Sequence, residues 1–151
     1  MNEQIHSLEN IYPLALTPGN SRELIGATRK FELLFLNNPN SFNIDYDDFL
    51  IKCHAIDQPA PRVRSLCRIL SVCVKIFSDS LDHYQKENLV LLARNWVQSH
   101  PQTAIICYCS KIMMVLKSEF RENFLDFRDF IIYQQSNHSK GVQSVIRNYL
   151  A

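Results

Sequence analysis

Residues 102–116, QTAIICYCSKIMMVL, decide the fold of this chain. The stretch is a membrane span, a metal or redox centre, or a helix buried among other helices. A span needs about 20 apolar residues, and this run is shorter and broken by Ser110 and Lys111. A lysine near the middle of a span costs about 2.5–3.5 kcal/mol on insertion. Cys107 and Cys109 stand two apart, which separates them by about 200° on a helix, so they cannot converge on one ion. A zinc site wants C-x₂₋₄-C pairs with further ligands, and the chain contains no C-x-x-C. A helix apolar nearly all round is packed on several sides. The inner helix of a stacked hairpin, touching its own partner and both neighbouring repeats, has this composition. Met113 and Met114 are expected to fill the core beside it.

Outward from that helix, apolar residues recur at three and four. A short helix is expected around Glu3–Asn10, with a break over LALTPGN, residues 14–20. SRELIGATRKFELLFL then runs as a helix capped by Asn20 or Ser21, and NNPNSFN ends it. A helix over Asp45–Ala55 follows, with Phe49, Leu50, Cys53 and Ile56 near one face. Pro59 or Pro61 suits the first turn of the next. There Val63, Leu66, Cys67, Leu70, Cys73, Val74 and Phe77 face inward, while Arg62, Arg64, Arg68 and Lys75 are placed on the other side. SDSLDHYQ caps a helix over Lys86–Ser99, and His100-Pro101 makes a corner before the opening stretch. Helices over Arg121–Gln134 and Lys140–Leu150 complete the chain, separated by SNHSKG. The sequence thus predicts an all-α single domain, residues 1–151, of about seven or eight helices joined by short turns into antiparallel neighbours. The helix pairs recur at roughly 35–45 residues, the period of helical-hairpin repeats.

Composition agrees. Apolar residues make up 46% and charged ones 21% of 151 residues, enough for a real core. Only three glycines occur, and neither phosphate-cradling glycine motif is present. The formal net charge of +1 advertises no polyanionic partner for the chain as a whole. The polar start, MNEQIHSLENIY, lacks the form of a signal peptide, so a cytoplasmic location and five free, buried thiols are expected.

The last third, LVLLARNWVQSHPQTAIICYCSKIMMVLKSEFRENFLDFRDFIIYQQSNHSKGVQSVIRNYL, resembles the C-terminal part of small stand-alone bacterial proteins with HEAT-like or armadillo-like helical repeats. The matching features are Trp96 near a helix end, Pro101 at a corner, and the apolar inner helix Ile105 to Leu116. After them come the aromatic-rich Phe120 to Tyr133, and Ser139-Lys140-Gly141 leading to Arg147. RVRSLCRILSVC resembles the inner helix of the preceding repeat, and ATRKFELLFLNNPNSFN an earlier one, so the resemblance spans roughly Arg22 to Leu150. It implies a right-handed α-α superhelix, a solenoid whose concave groove contacts other macromolecules. Some such proteins carry an adenylosuccinate lyase label, but that enzyme's Met-Pro-Lys catalytic loop has no counterpart here.

No chemistry-bearing constellation stands out. Asp45, Asp47 and Asp48 suit a helix start, and no Ca²⁺-loop pattern surrounds them. Asp126 and Asp129 have Arg128 and Arg121 nearby as ion-pair partners. His6, His54, His83, His100 and His138 fall mostly at turns and lack metal-binding spacing. Cys53 and His54 diverge by about 100° on a helix. Trp96 is either a stacking residue or the seal of a contact between repeats. No catalytic residue, cofactor or metal is expected. The basic residues are the candidate site: if Arg29, Lys30, Arg64, Arg68 and Arg147 share one concave face, they form a stripe able to track a nucleic-acid backbone. The leading expectation is a non-enzymatic, cytoplasmic scaffold that binds a partner protein in its groove. Nucleic-acid binding, by analogy with the HEAT-like DNA alkylation repair glycosylases, is the alternative.

Overall fold

The computed structural model describes residues 2–41, 43–134 and 139–151, which are helical with no strand among them. The helices are α1 (Asn2–Ala15), α2 (Arg22–Asn37), α3 (Tyr46–His54), α4 (Ala60–Phe77), α5 (His83–Ser99), α6 (Thr103–Leu116), α7 (Arg121–Gln134) and α8 (Lys140–Val145). The last continues as a wide π-turn over Ile146–Leu150. The starts of α2, α3, α5 and α8 follow capping chemistry. Ser21 Oγ accepts from the Leu24 amide at 3.3 Å, and Ser139 Oγ from that of Val142 at 3.2 Å. Asp45 accepts from the Asp47 and Asp48 amides. Asp82 and Gln85 form a reciprocal capping box. It starts α5 at His83, a turn earlier than periodicity alone predicts. The first half of the SNHSKG break lies outside the described residues, as does part of the break over NNPNSFN.

The first helix runs longer than expected, through Pro13 to Ala15. An interior proline costs a helix about 3 kcal/mol. Here Leu8, Ala15 and Leu16 are buried, and α1 packs along α2, so tertiary burial offsets the local cost. Gly19 then turns the chain at φ +142°, where a Cβ would lie 2.7 Å from Leu24 Cδ1.

The helices form two rows. In one, α4 packs against α2 and α6, and α6 against α8. In the other, Tyr12 of α1 stacks on Phe49 of α3, α3 packs on α5, and Arg94 of α5 pairs with Asp126 of α7 at 3.0 Å. Hairpin contacts join the rows: α1 with α2, α5 with α6, α6 with α7. The opening stretch is therefore an inner helix, α6, held by α4, α5, α7 and α8. Among the described residues no helix is long and apolar enough to cross a membrane.

Several polar groups meet partners that periodicity does not specify. Arg62 is expected on the outer side of α4, yet it is fully buried. Its Nε donates to Thr28 Oγ1 at 3.0 Å, Nη1 to the Gly19 carbonyl at 2.7 Å, and Nη2 to the Ala15 carbonyl at 2.9 Å. The reason is the end of α1: its last carbonyls have no intrahelical donor, and a cation there also meets the favourable end of the helix dipole. Trp96 is buried and donates from Nε1 to the Ile56 carbonyl at 3.1 Å, just past α3, so it seals a contact between helices. The buried His100 ring bonds the next carbonyl along, that of Asp57. Asp126 pairs with Arg94 rather than with Arg121 or Arg128, because α5 and α7 are neighbours in the outer row.

Replacing Ile106 or Met113, both buried on α6, by Asp should abolish the cooperative helical melt followed by circular dichroism, since a buried unpaired carboxylate is costly. Met114→Asp, one residue along but exposed, should melt like the wild type. Arg62→Met should lower unfolding stability in urea by about 3 kcal/mol, because it strands acceptors that a charged donor served.

Candidate functional site

The open side of the α2–α4–α6–α8 row is built around a buried acid. Glu32 of α2 is fully buried, and it accepts from Arg29 Nη1 at 2.7 Å, Ser65 Oγ at 2.7 Å and Arg68 Nη1 at 3.2 Å. A carboxylate removed from water needs such partners. Arg29 and Arg68 remain about half-exposed, at 45% and 38% of their side chains. Two of the five candidate basic residues thus meet at one carboxylate, which cancels part of their charge and fixes both guanidinium groups. Arg64 lies one turn from Arg68 along α4, half-buried beside Gln102 and Ile105 at the start of α6. Lys30 is exposed but turned about 100° from Arg29 around α2. Arg147 is exposed on the final turn, which packs on α6 and α7.

Further along the same row the surface opens into a hollow of about 490 Å³. Ser71, Val72, Lys75 and Ile76 of α4 form one wall, with Lys111, Met114 and Val115 of α6 and Tyr149 opposite. The Lys111 ammonium is 5.6 Å from the Tyr108 ring centre and 5.7 Å from that of Tyr149, so two aromatic faces hold it. Met114 is 44% exposed, and Ile76 and Val115 are exposed as well. Met114 is therefore not a core filler; Met113 is. Four helices cover α6, but the side between α4 and the last turn stays open, and Lys111, Met114 and Val115 face it.

The charges are sorted between the rows. No Asp or Glu occurs in α4, α6 or residues 140–150, which carry Arg62, Arg64, Arg68, Lys75, Lys111, Lys140 and Arg147. Helices α1, α3, α5 and α7, with the N-caps Asp45 and Asp82, hold ten of the fifteen acidic residues. A net charge of +1 therefore conceals a basic inner face and an acidic outer row.

Several of the remaining reactive groups serve the structure. Cys67 and Cys109 face each other across α4 and α6 with sulfurs 3.6 Å apart, both buried, while Cys107 is half-exposed. Burial pushes the Cys53 and Cys67 thiols well above the ordinary value and Cys73 up to about 12, so all three stay protonated. Cys53 is buried while His54 is exposed, as their divergence requires. On the outer row the Lys52 ammonium, 3.0 Å away, and the Tyr12 hydroxyl hold the Asp48 carboxyl below its usual range. His83 stacks on Phe120 with ring centres 5.0 Å apart. The side chain of His6 and all of His138 lie outside the described residues. No group of three or more His, Cys, Asp or Glu able to hold a metal is found among the described residues.

Sequence reasoning missed Glu32 and the Lys75–Lys111 hollow. The first carried only an i, i+3 signal with Arg29; the second needs α4 and α6 side by side. No protein-family model, curated protein or solved structure matches this chain.

Cys107 should be the first thiol modified in the folded protein. Timed maleimide labelling with mass spectrometry should show one fast site, lost in Cys107→Ser, and the other four only on unfolding. Fast native labelling of Cys53, Cys67 or Cys73 would contradict their burial.

Proposed function

We propose that this chain is a non-enzymatic helical scaffold that binds a partner protein across the open face of the α2–α4–α6–α8 row. The two rows of hairpins are consistent with a HEAT-like solenoid winding, in which that face is the concave one. The observation that carries the reading is the hollow between α4 and α6. It combines exposed Ile76, Met114 and Val115 with Lys75 and Lys111, on helices without an acid. Apolar anchors inside a polar rim are the anatomy of a protein contact. The five free thiols fit a reducing compartment, in keeping with a cytoplasmic scaffold.

Nucleic-acid binding is the second reading, and the acid-free α4 supports it. Arg64, Arg68 and Lys75 follow one another along that helix at spacings of four and seven, the arrangement of a backbone-tracking edge. Against it stand the neutralisation of Arg68 by Glu32 and the apolar floor of the hollow.

Two measurements separate the readings. Immobilised wild-type protein should retain partner proteins that Ile76→Ser/Met114→Ser releases, with an unchanged melt. Fluorescence anisotropy with duplex DNA, single-stranded DNA and tRNA should show no binding tighter than weak, salt-erased association. Micromolar binding that falls steeply with salt and is lost in Arg64→Glu/Lys75→Glu would establish the second reading instead. Arg68 is left intact in that variant, because an acid there would face buried Glu32.

A further inference from the structure

The outer row carries the electrostatic complement of the inner face. Between α3 and α5 lies a second hollow, of about 410 Å³, bordered by Asp47, Asp82, His54, Ile51 and Tyr84. Ile51 is 70% exposed and Tyr84 69%, among the most exposed large apolar side chains of the molecule. Large apolar side chains this exposed are common singly; here two border one hollow. Asp47 accepts a hydrogen bond from Gln85 Nε2 at 3.0 Å, and Asp82 accepts from the Gln85 amide at 2.7 Å. Both are thereby fixed as acceptors beside the apolar pair. The inner hollow presents the reverse set: Lys75 and Lys111 beside Ile76, Met114 and Val115.

We propose that the partner of the inner face is a second copy of this chain, engaged head to tail, with Ile51 and Tyr84 of one copy packed against Ile76 and Met114 of the next. This rests on the inner face being a protein-binding surface. Charge selects the arrangement. Two inner faces brought together would oppose Lys75 and Lys111 with their own copies. Two outer faces would oppose Asp47 and Asp82 in the same way, and like charges at an interface are costly. Inner against outer pairs lysines with aspartates and covers both apolar sets. Such a contact is heterologous: each copy keeps one unfilled face, so assembly proceeds to an open chain or closes as a ring. The rim charges make it sensitive to salt.

Sedimentation velocity over a wide concentration range, at low and high salt, tests this. Wild-type protein should grow in mass with concentration and dissociate as salt is raised. Ile51→Lys, on the outer face, and Ile76→Ser/Met114→Ser, on the inner face, each change exposed residues and should retain the wild-type melt. Each alone should weaken association at least about tenfold, the loss expected on removing an apolar anchor. An equimolar mixture of the two should form a discrete dimer that grows no further, because each supplies the face the other lacks. A wild type that stays monomeric throughout overturns the proposal and leaves the inner face to a different protein, which the retention experiment detects independently. Association unchanged in either variant, or a mixture that stays monomeric, overturns it as well. Loss of self-association together with unaltered retention of other proteins by the inner-face variant would instead remove the protein-binding reading of that face for those partners while leaving the self-contact.

Discussion

Arg62 completes a helix to which it does not belong. From the first turn of α4 its guanidinium reaches the Ala15 and Gly19 carbonyls and the Thr28 hydroxyl. Thr28 in turn lies 2.8 Å from the same Ala15 carbonyl. One fully buried cation thus closes the end of α1, fixes the turn at Gly19 and sets α2 against α4. One turn further, Glu32 takes Ser65 and Arg68 from α4. Apolar helix surfaces slide past one another at small cost, whereas hydrogen bonds inside a low-dielectric contact do not. Two polar ties spaced along α2 and α4 therefore fix the register of the first hairpin on the rest, and with it the side from which Arg64, Arg68 and Lys75 emerge.

The α4–α6 contact is of another kind. It is apolar, with Cys67 against Cys109 at its centre, and its position comes from packing. Trp96 and His100 do for the outer row what Arg62 does for the inner one. Both bond carbonyls just past α3, where the backbone leaves a helix and its acceptors would otherwise be unserved. Buried polar side chains here thus serve two places, the free carbonyls at helix ends and turns and, at Glu32, the middle of the α2–α4 contact.

The separation of charge between rows follows from the same economy of burial. Inner helices are covered on more sides than outer ones, so few of their positions reach water. On the open side of α4 and α6 those positions hold Arg64, Arg68, Lys75 and Lys111, whose long stems also cover apolar surface. The outer row takes most of the carboxylates, several at helix starts where they cap. A near-zero net charge describes neither face.

The sequence alone determined the helices. Their number, most of their boundaries, the inner role of residues 102–116, the divergence of Cys107 and Cys109 and the capping by Ser21 and Asp45 all follow from period, turn residues and caps, which are local. The tertiary structure decided what each polar or apolar face meets. Periodicity gives a helix an inside and an outside but not a neighbour. It therefore left Arg62 on the surface, although the free carbonyls of α1 draw it in. It placed Met114 in the core, although no helix covers the last turns of α6 toward α4. Arg29 and Arg68 come together because Glu32, 36 residues from Arg68 in sequence, is buried between them. Lys75 and Lys111 share a hollow because α4 and α6 are adjacent. A helix is written in spacings of three and four residues, whereas a site on a stack of helices is written between chain segments tens of residues apart, which only packing brings together.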